Sequence, residues 1–140
     1  MITIGFDAHK REHVAVILDE AGRELNRWRG PNSAEGWLKM LGWASSLDGV
    51  RRWGVEGAWN YGRGLSQHLL GAGEEVYEVN PRWTAEMRKR SRKRGKSDRL
   101  DARAVAELVW REGSGEGKTA REALRALKRY IVRAIWSLWR

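Results

Sequence analysis

The sequence contains no cysteine, which excludes disulfides, thiolate nucleophiles and cysteine-based zinc sites. It has no apolar run near the ~18 residues that a membrane-spanning helix needs, and no signal-peptide pattern opens the chain. A cytoplasmic protein with no membrane role is the expectation. The glycine-rich stretch GAWNYGRG (57–64) lacks the GK[ST] ending of a phosphate loop and reads as a glycine-permitted turn. The three histidines, His9, His13 and His68, lack the spacing of a metal-ligand set and read as structural. His9 keeps a minor role, because it shares a face with Asp7 if the first strand continues.

What remains is a chain of 140 residues, 41% apolar, with nine tryptophans. That suffices for one domain with a real core plus a short appendage. The net charge of +9 is unevenly spread. Residues 1–87 sum to −2, residues 88–96 to +7, residues 97–117 to −2 and residues 118–140 to +6. In RKRSRKRGK the cations are Arg88, Lys89, Arg90, Arg92, Lys93, Arg94 and Lys96. So dense a run displaces condensed counterions from a polyanion, and it is assigned to nucleic-acid contact rather than to a solvated face. It has no interleaved apolar side for a membrane surface.

Apolar alternation places strands at 2–6, 13–18 and 23–28. A helix capped by Asn32 or Ser33 follows, with Trp37, Met40, Leu41, Ala44 and Leu47 on one side. RRWGVE (51–56) is a further strand, Leu65, Leu69 and Leu70 mark a short helix ended by Gly71 or Gly73, and EEVYEVNP (74–81) is a strand stopped by Pro81. A helix starts within KSDRLDA. Three strands, a helix, then strand–helix–strand predicts an α/β fold, an RNase H-like (RuvC-like) mixed sheet with flanking helices. The expected organisation is a domain over 1–112, a Gly/Ser linker over 113–118 and a basic amphipathic C-terminal helix over 119–140. That helix is expected to dock, to self-associate or to touch nucleic acid. Trp28, Trp37, Trp43 and Trp53 are expected in the core, whereas Trp59 and Trp83 are candidates for stacking on bases.

Four carboxylates carry the chemistry. Asp7 closes ITIGFD, Glu56 closes RRWGVE, and Asp98 and Asp101 open the last helix of the domain. Acids at the ends of apolar strands are costly unless compensated. Mg²⁺ or Mn²⁺ is the natural compensation, since hard cations bind carboxylate oxygens and suit a phosphodiester site. Asp98, Asp101, Val105 and Leu108 fall on one helical face. Ser97 or Asp98 as a helix cap would account for the last two acids by themselves; the metal reading accounts for all four.

GFDAHK, VEGAWNYGRGL, EVNP and the basic run leading into KSDRLDA resemble the DEDD-type insertion-sequence transposases, bacterial RuvC-like recombinases guided by a bridge RNA. The resemblance implies that Asp7, Glu56, Asp98 and Asp101 are catalytic metal ligands, that Tyr61 and Gly62 shape the site, and that DNA and a structured guide RNA are partners. Members of that family take a nucleophilic serine from a second domain, and none of the serines here lies in a similar motif. The resemblance thus implies a truncated transposase for DNA recombination, impaired in full strand exchange. It would act as a homo-oligomer or with a full-length transposase. The alternative is a non-catalytic nucleic-acid-binding remnant associating with that transposase.

Overall fold

The computed structural model describes residues 1–47, 49–56, 60–79 and 98–114, with backbone alone at 98–101 and 112–114. Strand β1 (Ile2–Ala8) alternates large apolar residues with small or polar ones. Ile2, Ile4 and Phe6 therefore face one side, and Thr3, Gly5 and Asp7 the other. β2 (Glu12–Leu18) and β3 (Glu24–Pro31) continue as an antiparallel meander. The β2–β3 turn is fixed by Asp19, whose Oδ1 accepts from the amides of Ala21 and Arg23, both at 2.9 Å. Gly22 supplies the positive φ of 79° that this turn needs.

Helix α1 (Ala34–Ser45) is capped by Ser33, whose Oγ accepts from the Gly36 amide at 3.2 Å. The chain then returns as β4 (Arg51–Glu56) parallel to β1. Helix α2 (Arg63–Gly71) leads to β5 (Glu75–Glu78), parallel to β4. The five strands lie in the order β3-β2-β1-β4-β5. Helix α3 (Asp98–Ser114) completes the described fold.

Each side of the sheet has its own packing. Ile4, Phe6, Ile17, Trp53, Val55 and Val76 bury against Met40 and Ala44 of α1 and Leu65 and Leu69 of α2. Each buried leucine there contributes about 1.5–3 kcal/mol. On the opposite side, Val14, Val16 and Leu18 pack on Ala102 and Ala106, and Tyr77 and Val79 on Val105 and Val109. Gly5 and Gly54 are register partners beneath α3. A Cβ at Gly5 would lie 2.3 Å from the Ala106 nitrogen and 2.5 Å from the Ala102 carbonyl. One at Gly54 would lie 2.4 Å from Val109 Cγ2. The pair of glycines is what lets the helix backbone rest on the strands.

The direction of α3 follows from its far end. Trp110 Nε1 donates to the Glu20 carbonyl at 2.9 Å, and Glu20 binds the Met1 amino group at 2.6 Å. The C-terminal end of α3 therefore lies at the start of β1, and its N-terminal end lies where β1 and β4 finish.

The expected element order holds, with shifted boundaries. β1 runs one residue past Asp7. β3 extends to Pro31, tolerable on an edge strand where one side needs no donor. β5 stops at Glu78, although the Val79 amide still bonds the Val55 carbonyl at 2.7 Å. The inner face of α3 is Ala102, Val105, Ala106 and Val109, with Leu108 only partly buried at its margin. Trp28, Trp37, Trp43 and Trp53 pack as expected. Residues 115–118 of the linker and the helix expected at 119–140 lie outside the described residues.

Gly5→Ala is expected to lose about 1–3 kcal/mol or more by overpacking. Gly42→Ala, where an added Cβ meets nothing within 4 Å, is expected to gain about 0.5–1 kcal/mol in mid-helix. Urea unfolding midpoints check both signs.

Candidate metal centre

The β1–β4 register pairs Asp7 with Glu56. Directly paired residues of neighbouring strands are ~4.8 Å apart at the backbone and share a face. That face is the one carrying Gly5 and Gly54, under α3. The Asp7 side chain is 15% exposed, and Glu56, the last residue of β4, is half-buried. The first turn of α3 starts at the same end of the sheet. Positions 98 and 101 stand one turn before the buried Ala102 and Val105. A helix N-terminus favours carboxylates by about 0.3–1 kcal/mol each. The structure thus brings Asp7 and Glu56 side by side and delivers the backbone of Asp98 and Asp101 to that end. The side chains of those two aspartates lie outside the described residues. Among the described residues no group of three or more ligand-type side chains forms.

His9 follows directly on β1, and its Nε2 lies 2.7 Å from Asp7 Oδ2. On sequence alone His9 carries only a minor role, since sharing a face with Asp7 requires the strand to continue; β1 stops at Ala8, and the imidazole still reaches the carboxylate. The donor set is carboxylate-rich, with no sulfur, and this fits a hard divalent cation.

A second polar cluster braces the site from the α1 side. Asn32 Oδ1 accepts from Trp37 Nε1 at 3.0 Å; indole nitrogen only donates, which fixes the amide's orientation. His13 Nε2, 2.9 Å from the same oxygen, must then carry the proton. Asn32 Nδ2 faces the carbonyls of His9, Lys10 and Tyr61 at 3.4, 3.1 and 3.3 Å. One amide therefore ties the β1–β2 turn, the start of α1 and the segment after β4 together. Tyr61 is held by its backbone in this way, while its side chain is exposed. His13 is fully buried beside Phe6, and its Nδ1 has no hydrogen-bond partner. Burial pushes its pKa below the ordinary 6.5, against the opposing effect of the hydrogen bond it donates to Asn32.

Asn32 was expected only as a possible helix cap, and no sequence signal marks its partners, which are scattered along the chain. Gly5 and Gly54 did carry a signal: isolated glycines in strand patterns mark close backbone approach. The basic run 88–96, Trp59 and Trp83 lie outside the described residues.

Two solved structures have a similar fold. Thermus thermophilus RuvC in complex with Holliday junction substrate matches with a TM-score of 0.59 at 13% identity, over 82% of this chain and 96% of that one. A second Thermus thermophilus RuvC structure gives 0.60 at 14%, over 82% and 97%. The fold is therefore the RuvC-like member of the RNase H-like class. The family model DEDD_Tnp_IS110, described as a transposase, matches residues 4–140, and the chain belongs to this transposase family. No curated protein matches it.

Because the folded state prefers neutral His13, this residue's contribution to stability is complete above 6.5 and is lost as the pH falls below it. His13→Gln should lower overall stability yet flatten that acid slope in thermal melts. Asn32→Ala, which strands the Trp37 and His13 donors, should cost about 1–3 kcal/mol in urea titrations.

Proposed function

We propose that this domain is the metal-dependent DNA-processing part of an insertion-sequence transposase, with Asp7, Glu56, Asp98 and Asp101 as its ligands for Mg²⁺ or Mn²⁺. The observation that supports this most is the Asp7–Glu56 pair at neighbouring strand ends, met there by the start of α3. Held by these acids, a divalent cation would supply polarisation of the scissile phosphate and stabilisation of charge developing on its oxygens.

The chain's own residues have four tasks. The sheet fixes Asp7 and Glu56 on rigid strands, which suits a preorganised site. His9, in contact with Asp7, holds that carboxylate in one orientation. Arg88, Lys89, Arg90, Arg92, Lys93, Arg94 and Lys96 neutralise phosphates of the DNA, or of a structured guide RNA. Residues 119–140 associate with a second copy or with another transposase chain. No serine of residues 1–140 lies in a nucleophile motif. Among residues 1–140, acids that hold a divalent cation suit phosphodiester hydrolysis, with water as the attacking group.

Calorimetric titration with Mg²⁺ and Mn²⁺ should show saturable binding to wild type and none to Asp7→Asn or to Asp98→Asn/Asp101→Asn. Metal at about a hundred times its Kd should stabilise wild type alone by about 2.7 kcal/mol. Absence of binding both with and without a DNA oligonucleotide would remove the metal reading and leave a non-catalytic nucleic-acid-binding module.

A further inference from the structure

A second charged surface lies beside the acids, formed by residues distant in sequence from the basic run 88–96. Asp7 pairs with Glu56 on one side and with Val14 of β2 on the other, and Val14 pairs with Arg29 of β3. Glu56, Asp7, Val14 and Arg29 therefore form one row across four strands and share a face. At ~4.8 Å per strand, the Arg29 backbone is about 10 Å from that of Asp7.

An open groove of about 760 Å³ runs from this row around the β1–β2 turn, lined by His9, Lys10, Arg11, Glu12, Arg29, Gly30 and Pro31. Its three cations outnumber its single carboxylate. Lys10 and Arg11 are exposed. Arg29 Nη1 donates to Glu12 Oε1 at 3.0 Å, which props the guanidinium at the groove. His9 joins the groove to Asp7.

We propose that Lys10, Arg11 and Arg29 form a phosphate track that seats a DNA backbone leading to the acids. The inference rests on the reading that DNA is processed at those acids. The groove reaches the carboxylates through His9. Its ~10 Å offset corresponds to about three rises of a DNA strand at 3.4 Å each. The track therefore holds the strand a few nucleotides from the scissile phosphate, where it positions the substrate without touching the reacting atoms. Its contacts carry no base specificity.

The test is fluorescence anisotropy of a labelled DNA duplex over a salt series in EDTA, using the full chain. Lys10→Gln/Arg11→Gln/Arg29→Gln should bind about tenfold or more weakly at low salt, with the slope of log K against log salt shallower by about 0.9 per cation removed. Arg23→Gln/Lys39→Gln, which removes exposed cations at the far end of β3 and on α1, should keep the wild-type slope. If the triple variant unfolds in a thermal melt, Lys10→Gln/Arg11→Gln on the exposed turn takes its place. Unchanged affinity and slope in the track variant would overturn the proposal, as would an equal loss per charge in the control. A loss confined to duplex RNA would overturn the assignment to DNA. Because EDTA removes divalent ions, failure here is distinct from failure of the metal reading, which the calorimetric titration reports.

Discussion

The geometry of the acid end depends on one contact, the backbone of α3 lying against Gly5 and Gly54. Two paired glycines at the middle of the two central strands leave a flat, side-chain-free strip. Ala102 and Ala106 sit on it and, together with Val105 and Val109, bury the helix on the sheet. A larger residue at either glycine would lift α3, and its first turn would no longer meet the ends of β1 and β4. The position of Asp98 and Asp101 relative to Asp7 and Glu56 is thus set two to three residues away from the acids, by sterics rather than by charge.

The opposite side of the sheet explains why the strand ends hold still. Trp53 and Phe6 fill the layer under α1 and α2, with ring centroids 6.3 Å apart. Asn32 then joins the β1–β2 turn, the start of α1 and the segment after β4. A buried network of this kind is worth having only when satisfied. Burial of His13, whose Nδ1 is the one open point of the network, pushes its pKa below the ordinary value and disfavours the charged imidazole there. Asn32 also fixes the turn bearing His9 and Lys10, so the same brace serves the acid pair and the cationic groove.

Charge is divided along the fold. Acids gather at the carboxyl ends of the central strands, while cations flank them on the edge strand and the β1–β2 turn. Most surface ion pairs here, such as Lys39–Glu35 at 3.2 Å, are exposed and contribute little to stability. The pairing of Arg51 with Glu74 is more buried and bidentate in nitrogen, with Nε at 2.9 Å, and clamps the start of β4 to the start of β5. Structural charge pairs thus sit at the far end of the sheet, and the end bearing Asp7 and Glu56 carries the charges proposed for function.

Strand and helix order was legible from the sequence because period-two and period-3.6 patterns are local properties. A cap at Asn32 or Ser33 and a stop at Gly71 or Gly73 were legible for the same reason, and the structure uses Ser33 and ends α2 at Gly71. The choice of Asp7 and Glu56 followed from their chemistry, since acids closing apolar strands demand compensation wherever those strands lie. Their adjacency was not legible. It depends on β4 returning parallel beside β1 in a register where residue 7 meets residue 56. The same holds for His9 against Asp7, Asn32 between three loops, and Arg29 in the row of the acids. Sequence by itself determined the elements, the faces and the residue types able to bind metal and phosphate, because those depend on neighbours a few positions apart. Only the tertiary structure decided which of those residues meet, because strand register and helix placement are fixed by packing between segments distant in the chain.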